Sequence, residues 1–259
     1  MRRRPLIFVL AALLALAVST VAWATVEKQG NVLVHFEAGF SPQALPRERP
    51  APIEVTIKGA VSTTDGTHPP PLDTLEIELN RNGQLYTKGL PACSPSLLQS
   101  TSTSQAKVRC GPALVGHGNF KADIALGGNN PVTATGEILA FNGRRAGKPA
   151  LLLHFFGAAP ARFTLVVPLL IARRATGTFG TVLRTRIPKL VNGFGSITQI
   201  DLSLGHRWSF HGKRRSYLSA ACRAPGNFTQ IPFTFARARF RFDGQPAIRA
   251  TLLKFCRVR

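Results

Sequence analysis

Acidic side chains are scarce in this chain: 12 Asp and Glu stand against 33 Lys and Arg among 259 residues, a formal net charge of +21. Charged residues altogether make up only 17%, and the 44% apolar content with a mean hydropathy of +0.07 excludes both a disordered chain and a multi-span membrane protein. Cysteine occurs four times and never as Cys-x-x-Cys. His206 and His211, five apart, would face opposite sides of one strand, so the spacings of a metal site are missing. A Gly-x-Ser-x-Gly elbow, a His-Glu-x-x-His helix, a P-loop and a dinucleotide fingerprint are absent as well. No nucleic-acid-binding motif occurs and the aromatics form no stacking platform, which disfavours a nucleic acid partner. These patterns assign no catalytic residue, metal or cofactor, and an enzyme is not the expected class.

What is present begins with export. Arg2, Arg3 and Arg4 precede the apolar stretch Leu6–Val18, and Ala22-Trp23-Ala24 offers the small-x-small pattern a signal peptidase accepts. The apolar core is shorter than the roughly 20 residues that span a bilayer. Residues 1–24 therefore read as a signal peptide and 25–259 as a secreted, extracytoplasmic region; the alternative is an uncleaved membrane anchor. A second apolar stretch, Ala150–Ala172, contains His154, Pro160, Arg162 and Pro168, which a membrane helix would not tolerate. It reads as a core hairpin of Leu151–Phe156 and Phe163–Ile171 turning at Gly157–Ala161, with no transmembrane span left after signal cleavage.

Export changes the meaning of Cys93, Cys110, Cys222 and Cys256, since an even count in an oxidising compartment favours disulfides over free buried thiols. Three pairings are open, and sequence proximity favours Cys93–Cys110 with Cys222–Cys256.

Strand patterns fill the rest of the chain: Val32–Phe36, Ile53–Lys58, Leu75–Leu79, Asn119–Leu126, Thr133–Phe141, Thr178–Ile187, Ile197–Leu204, Phe228–Phe242 and Ile248–Phe255. Turn formers separate them at Asp65-Gly66, Asn82-Gly83, Gly127–Asn130, Asn142-Gly143 and Asp243-Gly244. Helical periodicity is confined to Pro95–Gln99 and its Ser/Thr-rich continuation. The expected fold class is all-β: an antiparallel β-sandwich, one large or two small, with one short helix between Cys93 and Cys110. A subdomain split would fall near 142–149.

Three segments, Val61-Ser-Thr-Thr-Asp-Gly-Thr-His-Pro-Pro-Pro-Leu72, Lys88-Gly-Leu-Pro-Ala-Cys93 and Arg215-Ser-Tyr-Leu-Ser-Ala-Ala-Cys222, resemble uncharacterised exported β-rich proteins of high-GC Gram-positive bacteria. The resemblance implies a cell-surface setting. It implies no activity and carries over no functional residue.

The charge is unevenly distributed. Residues 25–137 hold 9 basic and 10 acidic side chains, whereas 138–259 hold 21 basic and 2 acidic, Asp201 and Asp243. Arg237, Arg239 and Arg241 alternate with Ala236, Ala238, Phe240 and Phe242, so the period of a strand puts the three guanidiniums on one face. Arg184 and Arg186 do the same, and Lys213, Arg214 and Arg215 crown the turn after Arg207–His211. With acids so sparse in this half of the chain, these eight residues are the candidate anion-binding set, for anionic cell-wall polymers or anionic lipid headgroups. The plainer reading is solvated surface in an Arg-rich protein. Glu76 and Glu78 share a strand face, an arrangement read as solvated rather than catalytic. The sequence thus points to an exported binding or structural protein of the cell envelope. The alternative is an envelope hydrolase whose site carries no recognisable motif.

Overall fold

The computed structural model describes residues 25–125, 131–159 and 162–259; the expected signal peptide and the Gly127–Asn130 turn lie outside them. The chain opens with β1 (Thr25–Gln29), β2 (Val32–Ser41), β3 (Ala44–Leu45), β4 (Ala51–Pro52), β5 (Glu54–Thr63), β6 (Leu72–Asn80) and β7 (Gly83–Leu85). Two short helices follow, α1 (Pro95–Leu98) and α2 (Thr103–Cys110). Next come β8 (Leu114–Ile124), β9 (Val132–Arg145), β10 (Lys148–Ala159), β11 (Phe163–Arg173), β12 (Phe179–Arg186) and β13 (Gly195–Leu204). The last strands are β14 (Arg207–Phe210), β15 (Lys213–Ser216), β16 (Leu218–Ala220), β17 (Gln230–Phe242) and β18 (Ile248–Val258).

Thirteen strands form one sheet in the order β1-β2-β5-β13-β8-β9-β10-β11-β12-β6-β17-β18-β3. Every pairing is antiparallel except β18 with β3. The sheet curls until β1, at one edge, packs against β18 near the other. The all-β class is as expected from the sequence, and the two facing layers belong to a single sheet. The three-stranded sheet β4-β16-β7 and the hairpin β14-β15 stand apart from it.

Alternation explains which side chains go inside. Val32, Val34, Phe36, Ala38 and Phe40 of β2 are buried, as are Ala236, Ala238, Phe240 and Phe242 of β17, whose arginines are exposed. On β10 the alternation vanishes because both faces are covered. Leu151, Leu153 and Phe155 join the interior core, while Ala150 and Leu152 join a second core with Leu98, Ala106, Leu139 and Phe141 beneath the two helices. A strand packed on both sides needs no polar face.

The helical cover is fastened in three ways. Ser102 and Gln105 form a reciprocal capping box at the start of α2. Cys93 and Cys110 are disulfide-bonded around the cover, and Cys222 is bonded to Cys256 on β18, the pairing that proximity favours. Beneath α1 and α2 lies His154, fully buried, with Nε2 3.0 Å from both the carbonyl and the hydroxyl oxygen of Thr101. The Thr101 hydroxyl donates to the Leu98 carbonyl, so Nε2 carries the proton. Burial holds His154 below its usual pKa, outweighing the bond to Thr101.

Two turn assignments are corrected. Asn142-Gly143 lies inside β9, and the reversal comes at Ala146-Gly147, both with positive φ. Asn142 donates to the Pro91 carbonyl, and Gly143 bridges to Cys93. A Cβ at Gly143 would lie 2.5 Å from Leu152 Cδ1 and 2.7 Å from the Cys93 carbonyl oxygen, so the pair docks the disulfide loop rather than turning the chain. Residues 142–149 accordingly belong to one continuous hairpin in the middle of the sheet, and no split occurs there. Gly157 likewise remains within β10, where a Cβ would strike the Phe163 ring.

Candidate functional site

Small barrels of about eight strands are just filled by their own side chains, whereas larger ones leave space. In this wider, curled sheet the inward residues enclose a cavity of about 680 Å³. Its wall is apolar, with Val34, Leu75, Leu153, Val167, Ile200 and Phe240 contributed by six different strands. Two residues along β10 and β6, Leu151 and Ile77 line a second cavity of about 80 Å³ on the side of β4-β16-β7, together with Leu183 of β12. Tyr217 borders this inner space. It is fully buried, its hydroxyl has no hydrogen-bond partner among the described residues, and burial pushes its pKa up.

Polar side chains cluster at the other end of the larger cavity. Asp73, Arg186, Lys189 and Asp243 all border it. Arg186 Nε lies 3.5 Å from Asp73 Oδ1, and Lys189 Nζ lies 3.8 Å from Asp243 Oδ2. Both are exposed pairs of the kind worth at most about 1 kcal/mol, so they form a weak latch between strand ends. The β12–β13 connection carries Leu190 into the wall, bridged to Gly195, where a Cβ would come within 2.8 Å of the leucine side chain. Ser196 donates to the Pro69 carbonyl at 2.7 Å, which ties the β5–β6 loop to this rim. Thr198 is the extra residue of a bulge in β13 and lines the same space. This arrangement suits an apolar body with a polar end. Among the described residues no cluster of three His, Cys, Asp or Glu could hold a metal ion.

The five strand arginines of the candidate anion set do lie on outer faces, but not unopposed. β6 sits between β12 and β17, so Glu76 falls between Arg184 and Arg239, and Glu78 is directly opposite Arg237. Arg184 Nε is 2.7 Å from Glu76, and Arg174 contacts both carboxylates. Arg237 places Nε and Nη2 each 2.5 Å from Glu78 Oε2, with its guanidinium 4.7 Å from the centre of the Phe179 ring. The Glu78 side chain is only 6% exposed. The expectation of arginines without acids nearby is thus overturned for Arg184, Arg186 and Arg237. The reason is topological: acids from the neutral half of the chain are inserted between strands of the basic half. Glu78, read as solvated, is instead a buried counterion. Arg239 and Arg241 have no carboxylate in ion-pair contact among the described residues.

Lys213, Arg214 and Arg215 are in the separate β14–β15 hairpin. The turn there is His211-Gly212, so these residues form the return strand rather than the turn. Lys213 and Arg214 are exposed, while Arg215 lies over the Tyr86 ring at 5.2 Å. The eight candidates therefore do not form one continuous strand face. Sequence reasoning missed the cavity because its lining residues look like ordinary core positions; the only signal was the number of strands, more than a filled core requires. No family model, curated protein or solved structure matches the chain.

Proposed function

We propose that this protein is an extracytoplasmic binding protein that holds a single apolar or amphiphilic small molecule inside its curled sheet. The observation that carries the reading is the 680 Å³ cavity with apolar walls and polar groups at one end. Ligand sites in proteins are concave, mostly apolar spaces of roughly 300–1,000 Å³ with a few placed polar groups. The two disulfides and the signal-like segment 1–24 favour an oxidising compartment outside the cytoplasm. Among the described residues no helix is long and apolar enough to cross a membrane. The hydrolase alternative draws less support, since the Ser196 hydroxyl in the cavity wall is committed to a backbone carbonyl. A wall-polymer role draws less as well, because three of its strand arginines already hold carboxylates.

The test is titration of the purified chain with the environment-sensitive dye N-phenyl-1-naphthylamine, followed by displacement with fatty acids of graded length. One saturable site, displaced by the longer acids and lost in Val167→Phe, is expected. Failure of the dye to bind, or binding indifferent to Val167→Phe, overturns the reading.

A further inference from the structure

The β17–β18 hairpin sends one set of side chains into the core and leaves another in water. Its outward pairs are Gln230 with Arg257, Pro232 with Phe255 and Thr234 with Leu253; past the bulge at Phe235, they are Arg237 with Thr251 and Arg239 with Arg249. Leu253 is 55% and Phe255 46% exposed. The stripe therefore has an apolar middle with guanidiniums at both ends. From Arg249 to Arg257 it spans about 26 Å at the rise of a β-strand.

The loop before β17 extends it. Phe228 is 56% exposed, yet its loop is fixed. The Arg47 guanidinium donates to the carbonyls of Ala224, Pro225, Gly226 and Phe228, and Val258 N–H donates to the Thr229 carbonyl. The clamped loop begins after the exposed Arg223 and runs into β17 where Gln230 pairs with Arg257.

No Asp or Glu occurs in 223–242 or in 248–259. Among the described residues, Arg223, Arg249 and Arg257 have no carboxylate in ion-pair contact, and the β6 acids are already paired, Glu76 with Arg184 and Arg174 and Glu78 with Arg237 and Arg174. Large apolar side chains bordered by bases alone match the boundary between acyl chains and anionic headgroups.

We propose that the outer face of the β17–β18 hairpin, together with Phe228, is a docking surface for an anionic lipid bilayer. Phe228, Leu253 and Phe255 enter the headgroup–acyl boundary, and Arg223, Arg249 and Arg257 engage lipid phosphates. The inference stands independently of the cavity.

The test is co-flotation of the full chain with unilamellar vesicles of equimolar phosphatidylglycerol and phosphatidylcholine, against vesicles of phosphatidylcholine alone. The triple variant Phe228→Ser, Leu253→Ser, Phe255→Ser should weaken binding to the anionic vesicles at least tenfold. Arg249→Gln with Arg257→Gln should weaken it about tenfold and reduce its salt sensitivity. Leu97→Ser with Val108→Ser, apolar groups exposed on the two helices, should change neither. Thermal melts confirm that each variant folds; should the triple variant not fold, the arginine pair decides. Absent binding to anionic vesicles, equal binding to neutral ones, or variants that bind like the parent each overturn the proposal. Capture of a protein partner by this face in place of vesicle binding overturns it too.

Discussion

Arg237 and Glu78 face each other across β17 and β6, with two guanidinium nitrogens 2.5 Å from the same carboxylate oxygen. Glu78 is almost fully enclosed while Arg237 is half exposed, so the two partners are unequal. Removing the arginine leaves a buried carboxylate dependent on Arg174 alone; removing the carboxylate leaves two bases that can reach water. Charge-assisted hydrogen bonds of this kind contribute about 1.5–3 kcal/mol. Arg237→Gln is expected to lower stability by about 1–2 kcal/mol, and Arg241→Gln, which breaks no ion pair, by less than about 0.5 kcal/mol. Urea unfolding of the two variants checks the ordering. Equal effects would mean that the pair contributes nothing.

His154 sets an acid limit. Its pKa is depressed in the folded protein, so the unfolded chain binds more protons below the ordinary value of 6.5. The contribution of the neutral imidazole is fully present above pH 6.5 and is lost as the pH falls toward the folded-state value. A single proton limits the slope to at most about 1.4 kcal/mol per pH unit. His154→Leu should cost stability at pH 7.5, because it abandons the bond to Thr101, while flattening the decline below pH 6.5. Denaturant titrations at the two ends measure both effects, and an unchanged slope would acquit His154.

The two disulfides should separate in their consequences. Loop-entropy arguments give about 3 kcal/mol for the 17-residue separation of Cys93–Cys110 and just under 4 kcal/mol for the 34 residues of Cys222–Cys256. Serine replacement of the first pair should loosen the helical cover and increase amide exchange around Thr101–Cys110, leaving the inner face of the sheet protected. Replacement of the second should loosen β18 and the β4-β16-β7 sheet. Hydrogen exchange of the two variants distinguishes the regions.

Gly143→Ala should destabilise by about 1–3 kcal/mol, since the added methyl meets the Cys93 carbonyl, a backbone atom that cannot rotate away. Gly147→Ala, where nothing lies within 4 Å, is governed by its positive φ of 76° instead and should cost about 1 kcal/mol. Thermal melts compare them.

The strands and the hairpin over Ala150–Ala172 were legible because each depends on short-range pattern: alternation and a proline-bearing turn. Asn142-Gly143 misled because the dipeptide that favours a two-residue turn also suits a strand that must admit another backbone. The opposition of Arg237 to Glu78 was not legible. They are 159 residues apart, and only the placement of β6 between β12 and β17 brings them together. The cavity was hidden for a related reason, since an inward leucine that packs and one that borders a void obey the same alternation.

That placement of β6 also governs how the chain can acquire its structure. Residues 72–80 are made early, yet their two hydrogen-bonded neighbours, β12 and β17, end at Arg186 and Phe242. Until β17 has emerged, β6 lacks one of its two flanking strands, and Glu78 lacks the guanidinium of Arg237. Such long-range pairing is slow. The sheet is therefore completed only once nearly the whole chain is present.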